Sequence, residues 1–292
     1  MPRGVIPRIP AKTGRHEGAR AKLGAAAARS QPRIGRKIDA KNLTDFASAK
    51  ALKKTTPKAS KNGAPKGYNP TSPQRVSEIL KRLDHLYPDV TCALTHKDPW
   101  QLLVATILSA QSTDVRVNMV TPELFKKYPT VQDFAKLEPQ QLEADIRSTG
   151  FFRNKSKSVV GAARRVVTEY GGRVPEKMED LLTLPGVARK TANVVLGTWF
   201  KLAEGVVVDT HVHRISRRLE LTRNDDPKKI EQDLMTIIPR EKWILFSHQV
   251  IWHGRKLCFA RSPKCADCSL ENICHAEDKT WSTVEKHKGA RA

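Results

Sequence analysis

Apolar residues recur at helical spacing through most of the chain. Val76, Ile79, Leu80, Leu83 and Leu86 follow a Ser72-Pro73 start, and Pro88 stops the run. The same period predicts helices over 100–110, 142–146, 159–170, 178–184, 191–200, 212–219, 230–238 and 243–253, with Gly171-Gly172 closing the one that ends at Tyr170. Only Val206-Val207-Val208 reads as a strand, and it is too short to found a sheet. The body is therefore expected to be all-α, built of short helices and short loops. No repeat of fixed period points to a solenoid.

Residues 1–70 break this pattern. They hold 17 Lys and Arg against three acids (Glu17, Asp39, Asp45), are rich in Ala, Pro and Gly, and have Phe46 and Tyr68 as their only aromatics. Such a segment buries too little to offset its ordering entropy, so a disordered basic tail is expected. It supplies +14 of the net +22, leaving +8 on the rest. Positive surface of this size points to a polyanion, nucleic acid before membrane. Attraction to DNA, a tolerated solvated extension and an Arg-rich transit peptide stay open as readings of the tail. No stretch approaches the roughly 18 apolar residues of a membrane span, and no apolar h-region follows the first basic residues. Neither a transmembrane nor a secreted protein is expected on that basis, and a cytoplasmic, nucleoid-associated location is expected.

Of five cysteines, four are crowded as Cys258-x6-Cys265-x2-Cys268-x5-Cys274. Four thiolates so close can wrap one centre, an iron-sulfur cluster or a tetrahedral zinc ion. One Cys-x2-Cys pair with two single flanking ligands favours the cluster over the paired arrangement usual in zinc modules. His275 is then a neighbour rather than a ligand, and Cys92 is expected to be a small buried hydrophobe. The segment between the first two ligands is tied at both ends and could present Arg261 and Lys264 to a phosphate backbone at little ordering cost, although two cations in six residues are unremarkable in so basic a chain.

Leu184-Pro185-Gly186-Val187-Ala188 interrupts two helical runs, and Arg189-Lys190-Thr191-Ala192 resumes the second. A tight turn of this kind aims backbone N–H groups and a helix N-terminus at an anion, although an ordinary αα-hairpin has the same spacing. Lys190 lies just inside the second helix. Helix position, partial burial and neighbouring Arg189 would each disfavour its charged form and suit an amine that attacks carbon. Asp209 follows the Val206–208 run. It is a good N-cap for the next helix and a candidate for handling charge at a reacting centre. His211 and His213 are two apart on that helix and make a poor metal pair.

Together, Leu184 through Ala192, Val208-Asp209-Thr210-His211 and the four-cysteine spacing resemble the endonuclease III family of helix-hairpin-helix DNA glycosylases and abasic-site lyases. Leu108-Ser109-Ala110-Gln111-Ser112-Thr113-Asp114 and Gly150-Phe151-Phe152-Arg153-Asn154-Lys155 are similar to the same family, and the likeness runs over about 72–281. The resemblance implies two helical lobes, 91–205 and 71–90 joined with 206–281, followed by a short tail at 282–292. It implies double-stranded DNA across the cleft and a 4Fe-4S cluster on Cys258, Cys265, Cys268 and Cys274. It also implies a monomeric enzyme that removes oxidised pyrimidines and acts at abasic sites.

By the same match Lys190 is the nucleophile and Asp209 assists base departure. Gln111 and Phe151 fill the gap left by a flipped nucleotide, Gly186 and Ala188 form the phosphate-gripping hairpin, and Asp114 and His211 belong to the pocket. Adenine glycosylases that repair mismatches are similar but usually lack a lysine at this position and carry a further C-terminal domain. The 18 residues after Cys274 are expected to leave no room for one. Ala188 departs from the glycine common at its position, and it is expected in the α region, where alanine costs nothing. A non-catalytic binder of damaged duplex and a monofunctional glycosylase are the competing readings.

Overall fold

The computed structural model describes residues 68–280. The expectations for the basic tail and for 282–292 lie outside the described residues. Eleven α-helices of the described residues carry the architecture: α1 (Pro73–Leu86), α2 (Pro99–Leu108), α3 (Asp114–Lys127), α4 (Val131–Lys136), α5 (Pro139–Ile146), α6 (Phe152–Glu169), α7 (Met178–Thr183), α8 (Arg189–Val195), α9 (Thr210–Arg218), α10 (Pro227–Ile237) and α11 (Trp243–Lys256). Proline at the first turn starts α1, α2, α5 and α10. There its missing N–H costs nothing. The fold is all-α as expected.

Two hydrophobic cores organise these helices. In the first, α2 is buried on nearly every face, through Leu102, Leu103, Val104, Ala105 and Leu108; α3, α6 and α8 pack against it, and α4, α5 and α7 contribute to the same core. Phe134 anchors one end, with Trp100 edge-on at a ring separation of 5.5 Å. The second core joins distant parts of the chain. Ile79 and Leu83 of α1 meet Val212 and Ile215 of α9, Leu234 of α10, and Phe246 and Val250 of α11. Each such side chain contributes about 1.5–3 kcal/mol on leaving water, and none of these partners is local, so the second core closes only when α1 meets the C-terminal helices.

Val206-Val207-Val208 forms no strand, and there is no sheet among the described residues. The segment crosses from α8 toward α9 with Val206 and Val208 in the second core, and the Val207 N–H donates to Ser247 Oγ at 3.0 Å instead of to a neighbouring strand. The periodicity also missed α3 and α4. On α3 Val115 and Met119 are 72% and 64% exposed, and Pro122 lies inside the helix, so its apolar positions do not mark a single face.

Candidate active site between the two cores

A cleft of about 790 Å³ runs between the cores, lined by Lys190 from the first and by Asp209, His211 and Arg255 from the second, with Gln111 and Asp114 at its rim. Lys190 is the second residue of α8, and the turn before α8 aims it. Gly186 has φ +77°, and a Cβ there would meet Ser158 Cβ at 2.5 Å, so both backbone and space demand glycine. Ala188 is the N-cap at φ −96°, ψ 169°. This corrects the expected α-region placement: the residue is extended, alanine is unstrained there, and no side chain caps the first turn of α8.

Lys190 is exposed rather than partly buried. Arg189 turns away from it. Its Nε donates to Glu231 Oε2 at 2.9 Å, and Asn193 Nδ2 donates to Glu231 Oε1 at 2.8 Å. The buried Glu231 carboxylate of α10 thereby pins the face of α8 next to the one that lines the cleft, tying the lysine helix to the second core.

Asp209 caps α9, its Oδ1 accepting the N–H groups of His211 and Val212, both at 2.8 Å. Oδ2 takes no part in the cap. His211 Nδ1 faces Arg214 Nη2 at 3.2 Å, an arrangement in which a neutral imidazole accepts. Burial pulls the His211 pKa down despite nearby Asp209. Asp114 opens α3 and pairs with Arg255 Nη2 of α11 at 2.6 Å, a bridge between the two sides. Arg255 and His248 line the cleft without any signal in the sequence. His248 is half-buried, and its partial burial, with Lys201 and Arg255 nearby, lowers its pKa to about 4. Cys92 also borders the cleft, packed against the first core, and burial raises its pKa.

Gln111 and Phe151 share an unusual backbone. Both are exposed and left-handed, φ +52° and +49°, and Phe151 is 61% exposed although large and apolar. Non-glycine residues held there cost of order 1 kcal/mol or more and cluster at functional sites. Phe151 does not line the cleft.

The four C-terminal cysteines line one small cavity together with Arg218, His253 and Lys264. Arg218 Nη1 donates to Cys258 Sγ at 3.1 Å, and the same guanidinium holds the carbonyls of Phe259 and Ala260. Cationic N–H donors aimed at a thiol, and thiols surrounding one cavity, are what a thiolate-bound centre requires. Among the described residues no three His, Cys, Asp or Glu converge as they would round a single ion. Arg261 and Lys264 are both exposed on the tied loop. His275 is exposed and packs edge-on against Tyr68 at 4.9 Å.

The family model for HhH-GPD superfamily base excision DNA repair proteins matches residues 104–240. Endonuclease III of Synechocystis sp. is 56% identical over 201 residues, spanning 69% of this chain and 92% of that protein. The chain belongs to the endonuclease III family. Its relative in Bacillus subtilis is 40% identical over 207 residues, 70% of this chain and 94% of that endonuclease III. A solved structure of a trapped endonuclease III–DNA covalent intermediate, an estranged-adenine complex, matches with a TM-score of 0.67 at 39% identity, covering 74% of this chain and 99% of that one. Membership makes this chain a base-excision-repair enzyme, a DNA glycosylase with the abasic-site lyase activity of endonuclease III, and a DNA-binding protein.

Proposed function

We propose that this enzyme removes oxidised pyrimidines from duplex DNA as a monomer, with Lys190 as nucleophile and Asp209 as its acidic partner. The observation that carries the reading is that an exposed lysine held by one core and a carboxylate held by the other border the same cleft. Nζ of Lys190, once neutral, gives its lone pair to C1′ of the extruded nucleotide, and the bond from C1′ to the base breaks with its electrons leaving on the base. The cap leaves Asp209 Oδ2 available to balance the positive charge developing on the sugar. Loss of one amine proton and opening of the sugar ring, with O4′ taking up a proton, leave an iminium between Nζ and C1′. Removal of a C2′ proton then expels the 3′ phosphate and nicks the strand.

Gln111 and Phe151, exposed on left-handed turns, suit insertion into the stack where the nucleotide has left, offsetting a few kcal/mol of lost stacking. The Gly186–Ala188 turn with its uncapped helix start suits a phosphate, and Arg261 and Lys264 suit a second stretch of backbone. Asp114 and His211 shape the pocket. Cys258, Cys265, Cys268 and Cys274 would hold a 4Fe-4S cluster: among the described residues they line one cavity without converging as round a single ion. Ligation through Cys258 and Cys265 would hold both ends of the loop bearing Arg261 and Lys264, while the lysine route itself draws no electrons.

Incubation with a duplex carrying one thymine glycol tests the reading. Free base together with a nicked strand is expected. Base release with an intact strand would favour a monofunctional enzyme, and tight binding with no release would contradict the proposal.

A further inference from the structure

A buried ammonium joins the two turns that carry Gln111 and Phe151. Lys155 lies in the first turn of α6, four residues after Phe151, and is 4% exposed. Its Nζ donates to the carbonyl of Leu108 at 2.7 Å and to that of Thr149 at 2.8 Å. Leu108 ends α2, and Thr149 ends the short 3-10 turn Arg147–Thr149. Both acceptors therefore belong to a helical C-terminus, where carbonyls lack partners along the helix and the dipole is negative.

Among the described residues no carboxylate hydrogen-bonds or ion-pairs with Lys155, and burial is the cause of its lowered pKa. Burying a cation without a counter-ion is costly, and an unbranched apolar side chain would fill similar space without that cost. What the charge adds is a fixed link between two separate elements. Three residues beyond Leu108 the chain reaches Gln111 at φ +52°. Two residues beyond Thr149 it reaches Phe151 at φ +49°, with Gly150 between them at φ +72°. Left-handed turns of this kind persist only where their surroundings hold them.

We propose that Lys155 is a positioning residue for DNA insertion: its ammonium clamps the carbonyls that precede both turns, so that Gln111 and Phe151 enter the duplex at a set separation. The inference rests on the reading of those two side chains given above. It demands that Lys155 matter where there is a stack to enter and an opposite strand to face. The attack of Lys190 on an abasic sugar does not itself require either.

Single-turnover borohydride trapping separates these demands. Full-length wild type, Lys155→Met and Lys155→Gln are compared on one abasic oligonucleotide, as duplex and as single strand, with 2-aminopurine opposite the site in the duplex. Displacement of a positioned group by about 1 Å can cost up to about 100-fold, and the duplex-to-single-strand ratio of trapping rates is expected to fall about tenfold or more in Lys155→Met. The 2-aminopurine signal on binding should shrink with it, and Lys155→Gln, which keeps N–H donors, should retain more of both. Parallel losses on the two substrates, with an unchanged ratio, would mean that Lys155 serves only the fold and would overturn the proposal. Should Lys155→Met not fold, Lys155→Gln decides by the same ratio. A wild-type chain that traps neither substrate would overturn the lyase reading instead.

Discussion

Asp209 serves the helix and the proposed chemistry with different oxygens, so the two roles are separable by substitution. Asparagine caps a helix about as well as aspartate, whereas alanine costs about 1 kcal/mol. Asp209→Asn should therefore unfold in urea within about 0.5 kcal/mol of wild type while base release falls about 100-fold or more. Asp209→Ala should lose both stability and rate. An Asp209→Asn enzyme of normal rate would leave the carboxylate as a cap alone. His248 supplies a test by pH. Its folded pKa of about 4 lies below the ordinary 6.5, so between these values the unfolded chain binds the extra proton and stability rises with pH. As pH falls from 6.5 toward 4 that contribution is lost. The slope of unfolding free energy across this window should be shallower in His248→Gln, read from urea titrations at several pH values, and an identical slope would contradict the assignment.

At the scale of elements, the hairpin between α7 and α8 is the most demanding local structure. Gly186 needs positive φ and has Ser158 against the place a Cβ would occupy. Gly186→Ala is expected to cost roughly 1–2 kcal/mol from backbone alone, plus the shift forced on Ser158, and to weaken duplex binding. Ala188→Gly should change little, because Ala188 is already extended; abasic-duplex affinities and urea midpoints of the two variants check both statements. The hairpin and the Asp209 cap were legible in sequence because Pro, Gly and Asp act locally. The helix α3 was not, since Val115 and Met119 face solvent and only the packing of Val117, Thr121 and Leu124 shows its inner side. Lys155, the Arg255–Asp114 pair and the anchoring of Arg189 by Glu231 were equally hidden, because each depends on partners brought together by tertiary contact. The left-handed backbone at Gln111 and Phe151 has no residue signature at all, as neither is glycine.

For the whole molecule, the cleft exists because two cores of different origin meet. One is built from successive helices, the other from α1 and the C-terminal helices. The all-α class and the motif-bearing segments could be read from periodicity and spacing. The cleft itself could not, because it is a property of the contact between cores. The net charge divides differently from the site. Residues 1–67 carry +14 of the +22, yet Lys190 and Asp209 lie in the remainder. Each phosphate neutralised adds about 0.9 to the slope of log affinity against log salt. Deleting 1–67 is therefore expected to flatten that slope for duplex DNA while leaving the single-turnover rate at saturating enzyme near wild type. A slope unchanged by the deletion would show that the core alone makes the phosphate contacts.

The most direct test of the central claim is to trap the full-length enzyme on abasic duplex with borohydride and locate the modified residue by peptide mass spectrometry. The reduced sugar adduct is predicted on Nζ of Lys190, with trapping lost in Lys190→Ala. An adduct on another amine of the wild-type chain, or trapping undiminished in Lys190→Ala, would contradict it.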